Sequence, residues 1–142
     1  MLPLGGQRSG DSRKRGGTNM SLILIVEDNE KNMKLVRDVL QAKGYATIEA
    51  ITGEDGVRLA AERKPDLILM DIQLPGINGI EALRILRASP DTASIPAVAV
   101  TASVMQNDRK HITEAGFDGY LGKPLNLKEF LETVRAMLEK TP

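Results

Sequence analysis

Three carboxylates, one hydroxyl and one ammonium stand at or just beyond the ends of short apolar runs in this chain. Glu27-Asp28 follows Leu22-Ile23-Leu24-Ile25-Val26, and Asp71 follows Leu67-Ile68-Leu69-Met70. Thr101 follows Ala97-Val98-Ala99-Val100, and Lys123-Pro124 comes after Gly119-Tyr120-Leu121-Gly122. If the runs are neighbouring strands of one sheet, all five groups meet at one rim. Carboxylates about 5 Å apart repel by roughly 3 kcal/mol per pair at an effective dielectric near 20, so three together call for a cation. The donors are all oxygen, with no histidine or cysteine nearby, which suits a hard ion and magnesium before others. Magnesium usually takes one or two carboxylates, keeps several waters and accepts phosphate oxygens, so the cluster reads as a site for a phosphoryl group. A carboxylate is a competent covalent nucleophile in that chemistry and gives an acyl phosphate. Because the transition state is loose, positioning and charge neutralisation supply most of the catalysis.

The elements that must position these groups alternate along the chain. Residues 22–26 lack polar alternation, as expected of a strand buried on both faces. A helix over about 30–43 follows, with Met33, Val36 and Leu40 on one face, Leu35 and Val39 beside it, and Gly44 as terminator. Residues 46–50 form a second strand. Thr52 opens a second helix with Asp55 three residues on, and Pro65 closes it. A third strand covers 67–70 and ends in Asp71. The turn-rich stretch Leu74-Pro75-Gly76-Ile77-Asn78-Gly79 leads to a helix over about 80–88. Residues 97–100 are the fourth strand, and a sparse stripe of Val104, Met105, Ile112 and Ala115 marks a helix over about 104–115. Residues 119–121 are a short fifth strand. The last helix has Asn126 as N-cap and Glu129 at N3, with Leu127, Phe130, Leu131, Val134, Met137 and Leu138 facing inward. Strict strand–helix alternation predicts an α/β fold: a doubly wound, flavodoxin-like parallel sheet of five strands in order 2-1-3-4-5 with five helices. In such folds the functional crevice lies at the carboxyl ends of the strands, where strands 1 and 3 flank the switch point.

Composition removes most other chemistry. The 142 residues carry 19 basic and 19 acidic side chains, a net charge of zero, which argues against nucleic-acid binding through a general basic field. The absence of cysteine removes disulfides, thiolate metal sites and thiol nucleophiles. His111 is the single histidine, lies on a polar helix face, and is expected to be surface. No apolar run approaches the roughly 20 residues needed to span a bilayer, so a cytoplasmic protein is expected. Residues 1–20 hold Arg8, Arg13, Lys14 and Arg15 against Asp11, are rich in glycine and serine, and read as a disordered basic tail. Met20 stands at its end as an alternative start, and residues 21–142 are expected to form one domain.

At this point four segments in order carry a resemblance. They are Ile25-Val26-Glu27-Asp28-Asn29, Leu69-Met70-Asp71-Ile72-Gln73-Leu74-Pro75-Gly76, Val100-Thr101-Ala102 and Gly119-Tyr120-Leu121-Gly122-Lys123-Pro124. From Leu22 to about Leu138 the chain resembles a response-regulator receiver domain of two-component signalling, of the single-domain type without an output domain. The resemblance implies that Asp71 is the phosphoacceptor, Asp28 a magnesium ligand, and Glu27 an acidic partner acting on the ion through water. It implies that the backbone carbonyl of Gln73 completes the protein's share of the metal shell. Thr101 would hydrogen-bond the phosphoryl oxygens and Lys123 would pair with them. Tyr120 would be the switch aromatic, and Gln73 and Ser103 would tune the lifetime of the acyl phosphate. The Lys123-Pro124 bond is expected to be cis. Glu27 departs from the pattern, since its position is often aspartate, and altered metal affinity is the expected result.

The implied function is a phosphorylation-activated switch of a two-component or phosphorelay system. Its donor would be a sensor histidine kinase or a histidine phosphotransfer protein, and its reader a downstream effector protein, with weak homodimerisation left open. It would catalyse only its own phosphoryl transfer and loss. The modification brings about two negative charges and three strong acceptors. Drawing Thr101 towards them would vacate space for Tyr120, with strand 4, helix 4 and strand 5 reporting the change. The alternative is a phosphorylation-independent adaptor, which has no need to tolerate the acidic set. A flavodoxin-like electron carrier is disfavoured because Glu27-Asp28 would repel a bound phosphate, and no phosphate-cradling P-loop string occurs. No helix-turn-helix pattern follows the last helix, so DNA binding is not expected.

Overall fold

The computed structural model describes residues 21–102 and 106–139, and for residues 106–108 the backbone alone. The predicted basic tail, Ser103, and the Val104 and Met105 positions of the fourth helix lie outside the described residues. Ten elements alternate: β1 Leu22–Val26, α1 Glu30–Ala42, β2 Ala46–Ala50, α2 Gly53–Arg63, β3 Leu67–Asp71, α3 Gly79–Ala88, β4 Ala97–Thr101, α4 Gln106–Ala115, β5 Gly119–Gly122 and α5 Leu127–Glu139. The strands form one parallel sheet in the order β2-β1-β3-β4-β5. This is the flavodoxin-like arrangement expected from the alternation.

Local chemistry sets the boundaries. Asn29 caps α1 by accepting from the Asn32 N–H at 3.0 Å, and Gly44 follows the helix with φ of 91°, in the left-handed region that glycine occupies without steric cost. Thr52 caps α2 by accepting from the Asp55 N–H at 3.1 Å. That helix stops one residue short of Pro65's neighbour, with Lys64 at φ 46°. Asn78 and Glu81 form a reciprocal capping box at the start of α3, and Asn126 accepts from the Glu129 N–H at the start of α5.

Two apolar layers sandwich the sheet. On one face, α2, α3 and α4 bury Ala60, Leu83, Leu86, Ile112 and Ala115 against Leu24, Val26, Ile68, Met70, Ala97 and Ala99. On the other, α1 and α5 bury Met33, Val36, Leu40, Phe130, Val134 and Met137 against Ile23, Ile25, Leu67, Leu69, Val98 and Leu121. Strand alternation therefore assigns every rim residue to one layer or the other. One expected core position is corrected: Leu127 is 42% exposed. It is the first residue of α5, and a helical side chain covers the surface N-terminal to its own Cα, where the core has already ended. Leu35, read as flanking the buried face of α1, is likewise exposed.

Arg87, near the end of α3, ties several segments together. Its Nη1 donates to the carbonyls of Ile95 at 2.7 Å and Ala93 at 3.0 Å, and its Nε to Gly116 at 3.1 Å. Its Nη2 reaches the Asp118 carboxylate at 3.2 Å, which also accepts from the Ala97 N–H at 2.9 Å. Burial draws the guanidinium below its ordinary pKa, against the pull of Asp118. Among the described residues no helix is long and apolar enough to cross a membrane.

Candidate functional site

The rim at the carboxyl ends of β1, β3 and β5 gathers the predicted groups. Glu27 is continuous with β1, whose ladder it extends by donating its N–H to Ala50 O at 3.0 Å. Asp71 is the last residue of β3, and Lys123 follows β5, held to β4 by its N–H on the Thr101 carbonyl at 2.9 Å. Alternation points Glu27, Asp71 and Lys123 to the α1/α5 side of the sheet. There the Lys123 ammonium bridges the two acids, 2.9 Å from Asp71 Oδ2 and 3.0 Å from Glu27 Oε1. Glu27 is 5% exposed and Asp71 4% exposed. The remaining oxygens are also engaged: Asp71 Oδ1 accepts from the Gln73 N–H at 3.0 Å, and Glu27 Oε2 from the Asn29 N–H at 3.1 Å.

Asp28 is exposed at the mouth of this cluster. Glu27, Asp28 and Asp71 each place a carboxylate oxygen within 4.8 Å of the others. An all-oxygen set of three carboxylates fits a hard dication, and the chemistry of the donors selects magnesium over softer metals. Burial pushes the Glu27 carboxyl above its usual range. The Asn29 and Lys123 hydrogen bonds pull against that rise, and the Asp71 charge adds to it. Burial draws Lys123 down, but its hydrogen bonds to Asp71 and Glu27, with their charges, outweigh this and hold the ammonium above its ordinary value.

Thr101 ends β4 and is 3% exposed. It falls on the opposite side of the sheet from the acidic cluster, in line with Ala97 and Ala99, on the side covered by α4. Tyr120 shares that side, because its neighbour Leu121 belongs to the α1/α5 layer, and it pairs with Ala99, two residues before Thr101. Tyr120 is 37% exposed, so it is not a buried core tyrosine. The Lys123-Pro124 bond is cis, as expected. His111 is exposed on α4. Gln73 stands at the rim, exposed, with its backbone N–H on Asp71.

Sequence reasoning missed three features. The Glu27 carboxylate contacts Lys123 directly, a pairing that no motif announces; the length of the side chain is the available signal. Gly79 donates its N–H to the Ile72 carbonyl at 2.9 Å and packs so closely on the Asp71–Ile72 backbone that a Cβ would collide with the Asp71 carbonyl oxygen. It was read only as a turn residue. An apolar cavity of about 410 Å³ also adjoins the cluster, lined by Leu35, Val36, Pro124, Leu125 and Phe130 beside Glu27, Asp71 and Lys123. No local motif announces it.

Comparison with known proteins places this geometry in context. Residues 23–135 match the response regulator receiver domain family. The polar-differentiation response regulator DivK of Brucella anthropi is 45% identical over 116 residues, spanning 82% of this chain and 94% of the relative. The same protein of Brucella ovis is equally similar. Among solved structures, the receiver domain of the Pseudomonas aeruginosa sensor histidine kinase PA1611 has a TM-score of 0.80 at 33% identity, over 84% of this chain and 98% of that one. That structure carries a magnesium ion coordinated in its active-site cleft. The Vibrio cholerae chemotaxis protein CheY4 shares the fold, with a TM-score of 0.79 at 24% identity over 83% of this chain and 98% of its own. The chain therefore belongs to the response-regulator receiver domains of two-component signalling.

Proposed function

We propose that the protein is a phosphorylation-operated switch that accepts a phosphoryl group on Asp71. The observation that supports this most strongly is the Lys123 ammonium held between Asp71 Oδ2 at 2.9 Å and Glu27 Oε1 at 3.0 Å, beside an acidic trio within 4.8 Å. In the transfer, an Asp71 carboxylate oxygen forms the O–P bond as the P–N bond of a partner phosphohistidine breaks, and the electron pair leaves with the imidazole. Asp28 and Asp71 would hold magnesium, with Glu27 and the Gln73 carbonyl completing the protein's side of the site. Magnesium supplies positive charge against the oxygens of the transferred group.

The chain's own residues do the rest. The Gln73 N–H orients the Asp71 carboxylate through Oδ1. Lys123, already at the rim, exchanges one carboxylate contact for the incoming phosphoryl oxygens. Thr101 donates its hydroxyl to them and moves towards the modified residue. Tyr120, on the same side of the sheet, follows into the vacated space, and β4, α4 and β5 present the altered surface to an effector protein. The donor is a sensor histidine kinase or a histidine phosphotransfer protein, and Gln73 and Ser103 set the lifetime of the acyl phosphate.

Incubation with magnesium and acetyl phosphate, read by intact-protein mass spectrometry, tests the assignment. The wild type gains one phosphoryl group and Asp71→Ala gains none. A gain that persists in Asp71→Ala refutes the assignment of the acceptor.

A further inference from the structure

The guanidinium carbon of Arg109 on α4 lies 5.4 Å from the centroid of the Tyr120 ring, over its face. Arg109 is exposed and Tyr120 is 37% exposed, so the contact forms at the surface on the side of the sheet that also carries Thr101. We infer that Arg109 is a latch: it holds the Tyr120 ring outward in the unmodified protein and so opposes the rearrangement that phosphorylation drives. The inference rests on the proposed switch and names a residue that regulates it.

Three observations carry it. The first is direction. A cation above an aromatic face attracts the ring quadrupole, and inward movement of the ring breaks that contact. The second is space. Tyr120 pairs with Ala99, whose methyl group is all that stands on that strand between the ring and Thr101. Little side-chain bulk on β4 resists the inward move, so a restraint on the outward state has to come from elsewhere.

The third is how α4 is held. Its carboxyl end is pinned: Gly116 O accepts from Arg87, Phe117 N–H donates to Ile112 O at 3.3 Å, and Asp118 joins Arg87 to the start of β4. From residue 109 onward only Ile112 and Ala115 of the helix are buried; Arg109, Lys110, His111, Thr113 and Glu114 are exposed. The helix therefore has a fixed end at Gly116 and a thinly anchored body, and Arg109 lies two turns from the fixed end. A shift of α4 about that end carries Arg109 off the ring. An exposed cation–π contact biases a two-state equilibrium by about two- to fivefold, enough to tune a switch without locking it.

The sequence offers a clean probe, because Tyr45 and Tyr120 are its only tyrosines and there is no tryptophan. In a Tyr45→Phe background labelled with 3-fluorotyrosine, the single fluorine resonance reports Tyr120. Arg109→Ala is expected to move that resonance in the unmodified full-length chain towards its position in acetyl-phosphate-treated protein. It is also expected to raise the rate of acetyl-phosphate-dependent mass gain by about two- to fivefold. Arg109→Lys, which keeps a cation, restores most of both values. An unmoved resonance in Arg109→Ala, or a mass gain at the wild-type rate, overturns the latch while leaving the switch intact. Absence of any mass gain in wild type and variants alike overturns the switch, and the latch's regulatory role with it.

Discussion

Replacing Asp71 by asparagine removes one charge from a crowded rim and keeps the shape of the side chain. The Glu27 and Asp28 oxygens lie within 4.8 Å of Asp71, which at an effective dielectric near 20 is about 3.5 kcal/mol of repulsion for buried Glu27. Asp28 is exposed, so solvent cuts its share to about half of that. Against both stands the Lys123 ammonium at 2.9 Å, worth about 5.5 kcal/mol on the same scale. Attraction and repulsion nearly cancel, and the cost of burying a carboxylate that is 4% exposed, several kcal/mol, is left over. The neutral amide keeps one acceptor oxygen, which takes the Gln73 N–H, while Lys123 keeps its bond to Glu27 Oε1 at 3.0 Å. In metal-free buffer, Asp71→Asn is therefore expected to be more stable than wild type by about 1–2 kcal/mol, a rise in melting temperature of roughly 3–8 °C. Magnesium should stabilise wild type more than the variant, because the variant has lost a ligand and two of the three repulsive pairs that the ion relieves. Urea melts in EDTA and in millimolar magnesium measure both quantities. A variant less stable than wild type by 1 kcal/mol or more in EDTA would show that the acidic cluster is not under net strain, and the argument for a cation site would fall with it.

Other consequences follow from named contacts. Arg87→Met leaves the Ile95, Ala93 and Gly116 carbonyls without their donor and should cost about 2–4 kcal/mol in urea melts; Arg87→Lys, with one compact ammonium, should recover less than half. Gly79→Ala puts a methyl group against the Asp71–Ile72 backbone, with a predicted loss of about 2 kcal/mol and slower acetyl-phosphate labelling of Asp71, both measurable on one preparation. The raised Glu27 carboxyl means that the folded chain binds more protons than the unfolded chain in the interval above pH 4.5. Its contribution to stability is then complete below that value and is lost as pH rises through the folded-state pKa. Glu27→Gln should flatten the stability profile above about pH 4.5 in EDTA, and an unchanged slope would remove burial as the dominant influence on Glu27.

The sheet and its rim were legible because their determinants are local. The runs at 22–26 and 67–70 contain no polar residue, which only a doubly covered strand tolerates, and the acids that follow inherit their places from those strands. Asn126 with Glu129 likewise announces the start of α5 in four residues. What could not be read depends on distant segments. Arg87 looks like any solvated arginine on a helix until the chain brings the carbonyls of 93, 95 and 116 around it. Leu127 fits the periodicity of α5, yet periodicity does not say where the sheet beneath it stops. The Arg109–Tyr120 contact joins residues eleven apart through a helix and a strand whose angle no motif encodes. Glu27 lies between these cases: its position was plain, but its partner depended on where a lysine 96 residues away comes to rest.

Glu27, Asp71 and Lys123 point to one side of the sheet, while Thr101 and Tyr120 point to the other. Under the proposed switch, the sheet is a partition wall: the group is received in one room and its arrival announced in the next, with β4 as the doorway. Whatever delivers the charge and whatever listens for it can then touch separate territory on the same small body. Substitutions on the listening side can then change who responds without touching the groups that receive the charge, although a contact such as Arg109 on Tyr120 still feeds back on how readily it is loaded.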